Sequence, residues 1–170
     1  MKKALFLDRD GVVNVEKNYL YKIKDFEFID GIFDLCKHYQ HLGYMIFIVT
    51  NQSGIARNYY SEGDFHLLTE WMIDEFKKRG IIINRVYYCP HHPEISGACS
   101  CRKPEPGMIL QAQEEFDIDL ADSLMIGDKE RDIEAALQAG ITETYLFDEK
   151  NRISNSKAKR IVHKLDEIWK

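Results

Sequence analysis

Short, unbroken apolar runs alternate along this chain with longer stretches in which apolar residues return every three or four positions. The runs cover residues 4–7, 45–49, 85–88, 123–126 and 144–147. They show little alternation of polar and apolar residues, the signature of strands covered on both faces. Between them the pattern is helical. Ile32, Leu35, Tyr39 and Leu42 share a face, and Gly43 is a stop signal. Ser61 and Asp64 form a capping pair ahead of a long helix with Phe65, Leu68, Met72 and Phe76 on its buried side, ending by Gly80. Pro106 opens a helix through about Phe116, and Ile133, Ala136 and Leu137 line another before Gly140. Ile161, Leu165 and Ile168 predict a terminal helix in a tail that carries no evident chemistry. Strands alternating with helices predict a three-layer α/β fold, a parallel sheet with helices on both faces. In such sheets chemistry gathers at the carboxyl ends of the strands. Asp8, Thr50, Cys89 and Asp128 fall there.

The 170 residues suit one domain, with no internal repeat or linker, so 1–170 reads as a single unit. Hydrophobic content of 45% and charged content of 30% describe a globular rather than a disordered chain. A net charge of −5 argues against non-specific nucleic-acid binding, and an anionic substrate would need a local positive site. No apolar run reaches the ~20 residues that span a bilayer. The stretch after Met1-Lys2-Lys3 is too short for a secretory signal, so the cytoplasm is expected.

Three segments at strand ends carry candidate chemistry. Asp8-Arg9-Asp10-Gly11-Val12 offers two carboxylates that a turn can aim at one point, one to attack an electrophile and one to move a proton. Thr50-Asn51-Gln52-Ser53-Gly54 concentrates hydrogen-bond donors suited to phosphate oxygens. In Gly127-Asp128-Lys129-Glu130-Arg131-Asp132, Asp128 could join Asp8 on a hard divalent cation such as Mg²⁺, with Asp132 bracing the site one helical turn on. A fourth segment, Arg102-Lys103-Pro104, supplies a planar fork and a point charge: Lys103 for a phosphoryl group, Arg102 for a second anion.

Three of the four cysteines lie between positions 89 and 101, while Cys36 sits in a helix as a small core residue. Cys89, His91, Cys99 and Cys101 make a closed set of three thiolates and one imidazole, which reads as structural Zn²⁺. Reduced cysteines in a surface loop, a disulfide, and His92 in place of His91 are the other readings. Zinc there would stiffen the loop that presents Arg102 and Lys103.

Taken in order, these segments resemble the four motifs of the haloacid dehalogenase-like phosphohydrolases: Asp8, Asp10 and Val12; Thr50; Lys103; Asp128, with Asp132 beside it. The resemblance implies a Rossmann-like fold with a minimal cap. It implies Asp8 as nucleophile forming an aspartyl-phosphate, Asp10 as general acid and base, and Thr50 and Lys103 holding the phosphoryl oxygens. It also implies Mg²⁺ on Asp8, Asp128 and the Asp10 carbonyl. The longer pattern C-P-H-H-P…C-S-C-R-K-P-E-P-G-M is similar to the heptose bisphosphate phosphatase branch, whose nearest kin are zinc-bearing histidinol-phosphate phosphatases. That likeness implies substrate contacts at Glu16, Lys17, Asn18 and Tyr19, at Thr50, Asn51, Gln52 and Ser53, and at Arg102 and Lys129. It implies a small sugar-phosphate substrate losing its C7 phosphate; the acidic charge and the lack of a spanning run predict no nucleic-acid or membrane partner, and a monomer is expected. Histidinol phosphate is the alternative substrate. A nucleic-acid 3′-phosphatase and a non-catalytic zinc module fit less well, since no basic stripe is present and no catalytic position is lost.

Overall fold

The computed structural model describes all 170 residues. Six strands, β1 (Ala4–Leu7), β2 (Met45–Asn51), β3 (Arg85–Cys89), β4 (Leu124–Gly127), β5 (Glu143–Phe147) and β6 (Arg160–Val162), form one sheet in the order β3-β2-β1-β4-β5-β6. Every neighbouring pair is parallel. The helices between them are α1 (Ile32–His41), α2 (Glu62–Lys77), the single turn α3 (Pro93–Ser96), α4 (Gly107–Phe116) and α5 (Glu130–Ala139).

The period-two geometry of the strands sorts their side chains into two cores. Leu5, Leu7, Ile46 and Ile48 face a core shared with Leu35 of α1 and Leu68 and Met72 of α2. Phe6, Phe47 and Val49 face the other, with Met108 and Ile109 of α4 and Ala135 and Ala136 of α5. Burial on both faces explains why the strands read as apolar runs. The Ser61–Asp64 capping box is formed, each residue accepting from the other's backbone N–H at 3.0 Å.

The tail differs from its predicted helix. Residues 160–162 extend the sheet beside β5, and Leu165–Ile168 forms a short 3₁₀ turn. The spacing of Ile161, Leu165 and Ile168 imitates a helical face, but the backbone groups on the outer edge of β5 offer Ile161 and Val162 a ladder to complete. Val162, Leu165 and Ile168 are buried in the α1–α2 core. No helix is long and apolar enough to cross a membrane.

The chain proceeds from β1 outward to β2 and β3, then returns to β4 and runs the other way. The crevice at this reversal, beyond the ends of β1 and β4, is where parallel α/β sheets bind ligands. Asp8 and Asp128 each follow one of these two strands.

Candidate active site

The Asp8 N–H donates to the Ile126 carbonyl at 3.1 Å, so the chain leaves β1 still tied to β4. It then turns tightly, with the Arg9 carbonyl accepting from the N–H groups of Val12, Val13 and Asn14. Gly11 makes the turn at φ +93°, against the Asp128 carboxylate: a Cβ there would stand 2.1 Å from Asp128 Oδ2. The glycine thus lets the two acidic loops touch.

Asp8 is buried, and its Oδ1 accepts from Lys103 Nζ at 2.9 Å. Lys103 also donates to the Val49 carbonyl at 2.8 Å and lies 2.7 Å from Asp132 Oδ1. Burial works against the Lys103 charge, but Asp132 and Asp8 more than offset it and raise the ammonium's pKa. Burial, and next the charge of Asp132, raise the Asp8 carboxyl well above its usual range, with Lys103 compensating only in part. Asp128 is pushed up to about 6, first by burial and then by Asp132.

Carboxylate oxygens of Asp8, Asp128 and Asp132 lie within 4.8 Å of one another. Asp132 is already committed: its Oδ2 accepts from the N–H groups of Asp128 and Lys129 at 3.1 and 3.0 Å, and its Oδ1 faces Lys103. Asp128 Oδ1 is buried with no hydrogen-bond partner. The Asp10 carbonyl takes part in no backbone hydrogen bond. Two crowded carboxylates, an orphaned buried oxygen and a free carbonyl suit a hard, oxygen-seeking divalent cation. Asp8, Asp128 and the Asp10 carbonyl are the groups left to hold it.

The Asp10 side chain is held from several sides. Arg9 donates to both its oxygens at 2.9 and 3.2 Å, Asn14 Nδ2 to Oδ1 at 3.0 Å, and Gln52 Nε2 to Oδ2 at 3.1 Å. Gln52 is fixed in turn by the Tyr60 hydroxyl, which donates to its Oε1. Arg9 is 1% exposed and also donates to the Leu20 carbonyl, which ties the segment after the first loop to Asp10.

Cys89, His91, Cys99 and Cys101 converge, with Cys89 Sγ 3.5 Å from His91 Nδ1 and 3.6 Å from Cys99 Sγ, and Cys101 Sγ 3.4 and 3.5 Å from the same two. Cys89 Sγ and Cys101 Sγ are in direct contact within the cluster. The His92 ring stands outside the cluster, accepting from Glu94 N–H and facing Arg57.

Residues 100–167 match the family model described as HAD-hydrolase-like. The chain is 52% identical over 150 residues to the D-glycero-alpha-D-manno-heptose-1,7-bisphosphate 7-phosphatase of Campylobacter jejuni, covering 88% of this chain and 85% of that one. It is 51% identical over 143 residues to the D-glycero-beta-D-manno-heptose-1,7-bisphosphate 7-phosphatase of Yersinia pestis, covering 81% of this chain and 76% of that one. This chain belongs to the heptose-bisphosphate 7-phosphatase family of HAD-like hydrolases. Its fold matches that of the D,D-heptose 1,7-bisphosphate phosphatase of B. bronchiseptica, solved with magnesium and phosphate, at a TM-score of 0.82 and 28% identity over 96% of this chain and 93% of that one.

Of the positions the resemblance implied for this phosphatase, most line one cavity of about 350 Å³. Its floor is Asp8, Asp10, Lys103 and Asp128, and Glu16, Asn18, Tyr19, Asn51, Gln52, Ser53, Arg102 and Lys129 surround it. Lys17 is absent from that lining and pairs with Glu27 at 3.4 Å. Thr50 lies fully buried beneath the cavity, its Oγ1 accepting from Gln52 at 2.9 Å. Asn51 brackets the Lys103 backbone, its Nδ2 donating to the carbonyl and its Oδ1 accepting from the N–H. Arg57, Tyr60 and Arg131 also line the cavity and went unassigned in the sequence; His92, which the sequence offered only as an alternative zinc ligand, lines it too. Arg131 was legible as a cation inside the segment 127–132, whereas Arg57, three residues past Gly54, and Tyr60 and His92 needed the fold. Arg102 loses some of its hold on its proton through burial and through the neighbouring charges of Arg131 and Arg57.

Proposed function

We propose that this chain removes the C7 phosphate of D-glycero-D-manno-heptose 1,7-bisphosphate through a phosphorylated Asp8, acting as a single-domain cytoplasmic monomer. The observation that carries the reading is the placing of Asp8 Oδ1 2.9 Å from Lys103 Nζ and beside Asp128, at the floor of a cavity ringed by further cations. The names of the relatives supply the sugar.

In this reading an Asp8 oxygen attacks phosphorus, and the bond from phosphorus to the C7 oxygen breaks. Asp10 gives that oxygen its proton. Water then attacks the phosphorus, Asp10 takes the water's proton, and Asp8 is released with inorganic phosphate. The Arg9, Asn14 and Gln52 contacts keep Asp10 aimed at the cavity. Lys103 partners the phosphoryl oxygens and restrains Asp8 between turnovers. Asp8, Asp128 and the Asp10 carbonyl would hold magnesium, which when bound would neutralise charge between the carboxylates and the phosphate. Phosphoryl transfer asks mainly for alignment and charge balance, which this set of residues supports.

For the cysteine cluster we infer Zn²⁺ on Cys89, His91, Cys99 and Cys101. The separations of Cys89 Sγ and Cys101 Sγ from His91 Nδ1 and Cys99 Sγ, 3.4–3.6 Å, are close to the edges, about 3.7 Å, of a tetrahedron with zinc–sulfur bonds of about 2.3 Å, while Cys89 and Cys101 stand closer to each other than such an edge. A disulfide uses two of the four groups; a metal uses all of them.

Phosphate release with Mg²⁺ from both heptose bisphosphate anomers and from histidinol phosphate tests the substrate. The bisphosphate is expected to be preferred, because unpaired guanidiniums in the cavity repel an amine. Preference for histidinol phosphate overturns the substrate, and near-normal turnover by Asp8→Asn overturns the mechanism.

A further inference from the structure

Arg57, Arg102 and Arg131 line the same cavity, and none lies within ion-pair distance of a carboxylate. The fourth cation of the rim, Lys129, differs: its Nζ is 3.8 Å from Asp128 Oδ2. Three guanidiniums that line one cavity and pair with no carboxylate make a cluster of unpaired positive charge.

The surroundings of Arg57 add a second, independent observation. Its Nε is buried and has no hydrogen-bond partner. Its terminal nitrogen lies 2.8 Å from His92 Nε2, while His92 Nδ1 accepts from the Glu94 N–H at 3.2 Å. A neutral imidazole has one acceptor nitrogen, and an imidazolium has none. The ring therefore cannot satisfy both donors, and Arg57 is left with an unmet nitrogen whichever tautomer forms. A guanidinium with a buried orphan donor and a contested acceptor is poised for an oxyanion. Arg102 is better anchored: its Nη1 donates to the His91 carbonyl at 3.3 Å.

We propose that Arg57 and Arg131 join Arg102 in binding the second phosphate of the substrate, and so determine the preference for a sugar bisphosphate over a monophosphate. The inference rests on the phosphatase reading above and extends it from one arginine to a three-point clamp. Arg102 comes from the loop after the cysteine cluster, Arg57 from the segment after β2, and Arg131 from the first turn of α5. The second phosphate is thereby measured from three separate elements. Arg131 is exposed, so it closes the outer side of the clamp, while half-buried Arg57 forms the inner side.

The test compares Arg57→Ala, Arg57→Lys and Arg131→Ala with the unaltered enzyme on heptose 1,7-bisphosphate and heptose 7-phosphate. It also measures inhibition by heptose 1-phosphate, which carries only the second phosphate. Each alanine variant is expected to lose about tenfold or more in kcat/KM on the bisphosphate, mostly through KM, and distinctly less on the monophosphate. Arg57→Lys should fall between, and inhibition by heptose 1-phosphate should weaken in all three. Equal losses on both substrates with unchanged inhibition overturn the clamp and leave the phosphatase reading standing. If the unaltered enzyme ignores heptose substrates, the same comparison on fructose 1,6-bisphosphate and fructose 6-phosphate decides the clamp separately. Circular dichroism of each variant confirms folding, and Arg131→Ala, at an exposed position, carries the test if Arg57→Ala does not fold.

Discussion

Lys103 Nζ lies 2.7 Å from Asp132 Oδ1, and the two side chains are 2% and 1% exposed. This pair sits under the reacting centre rather than in it. Asp132 holds the ammonium from one side while Asp8 takes it from the other, and the second oxygen of Asp132 secures the loop bearing Asp128. Removing one member of a buried pair typically costs about 3–5 kcal/mol, because the partner is left charged and dry. Asp132→Ala should lower the melting temperature by on the order of 10 °C. It should also reduce kcat more than KM, since both Lys103 and the Asp128 loop lose their brace. Asp132→Asn, which keeps a carbonyl acceptor for the loop N–H groups, should be milder on both counts. An unchanged melting temperature in Asp132→Ala would remove this pair from the support of the site.

Gly11→Ala and Gly43→Ala form an informative comparison. Both glycines are left-handed, at φ +93° and +90°, so an alanine at either pays a similar backbone penalty of about 1–2 kcal/mol. A Cβ at position 43 meets nothing within 4 Å, whereas one at position 11 collides with the Asp128 carboxylate. Gly43→Ala should therefore lose stability alone. Gly11→Ala should in addition need at least tenfold more Mg²⁺ for half-maximal activity, roughly the 1.4 kcal/mol expected from displacing one ligand slightly. Identical Mg²⁺ requirements in the two variants would count against Asp128 as a metal group.

The apolar runs and the helical spacing made the sheet and its covering layers legible, because strands buried on both faces leave an almost unbroken signal. The order of the acidic, hydroxyl and basic segments likewise pointed to a shared site, since the acidic and hydroxyl ones fall at strand ends of a parallel sheet and the basic one follows the cysteine loop after β3. Tertiary competition hid the rest. The spacing of Ile161, Leu165 and Ile168 has the period of a helix, and only the vacant edge of β5 makes position 161 a strand residue. Lys17 looked equivalent to its neighbours Glu16 and Asn18, yet the turn that carries them sends it to Glu27. Arg9 had no signal of its own between two more conspicuous acids. Its burial against Asp10 follows from the loop folding back to Leu20.

The cysteine cluster predicts a metal content. Protein purified without chelators should carry close to one zinc per chain by elemental analysis, and Cys99→Ser should carry much less. Because Arg102 and His92 stand beside the cluster in sequence, the variant should raise KM more than it lowers kcat. The same variant discriminates against a simple disulfide, which would leave Cys99 dispensable. Zinc-free protein with four intact cysteines, reducing agent present and full activity, would dismiss the metal.

The end of β5 predicts a dependence on pH that is separate from the chemistry. Burial alone would raise the Asp148 carboxyl, but the N–H groups of Arg152 and Ile153, at 3.0 and 2.8 Å, outweigh it and, with the charge of His163, hold it below its usual range. Glu167 is lowered in the same direction by the N–H groups of Lys164 and His163. Both groups therefore bind protons more weakly in the folded chain than in the unfolded one. Their stabilisation is fully present above the unfolded values, about 3.9 and 4.3, and is lost as pH falls through the lower folded values. Melting temperatures measured from pH 7 to pH 3 should fall most steeply below about pH 4. Asp148→Asn should be less stable than the unaltered chain at pH 7, and the gap should narrow towards pH 3. A gap that stays constant over that range would mean that Asp148 contributes through packing and not through its charge.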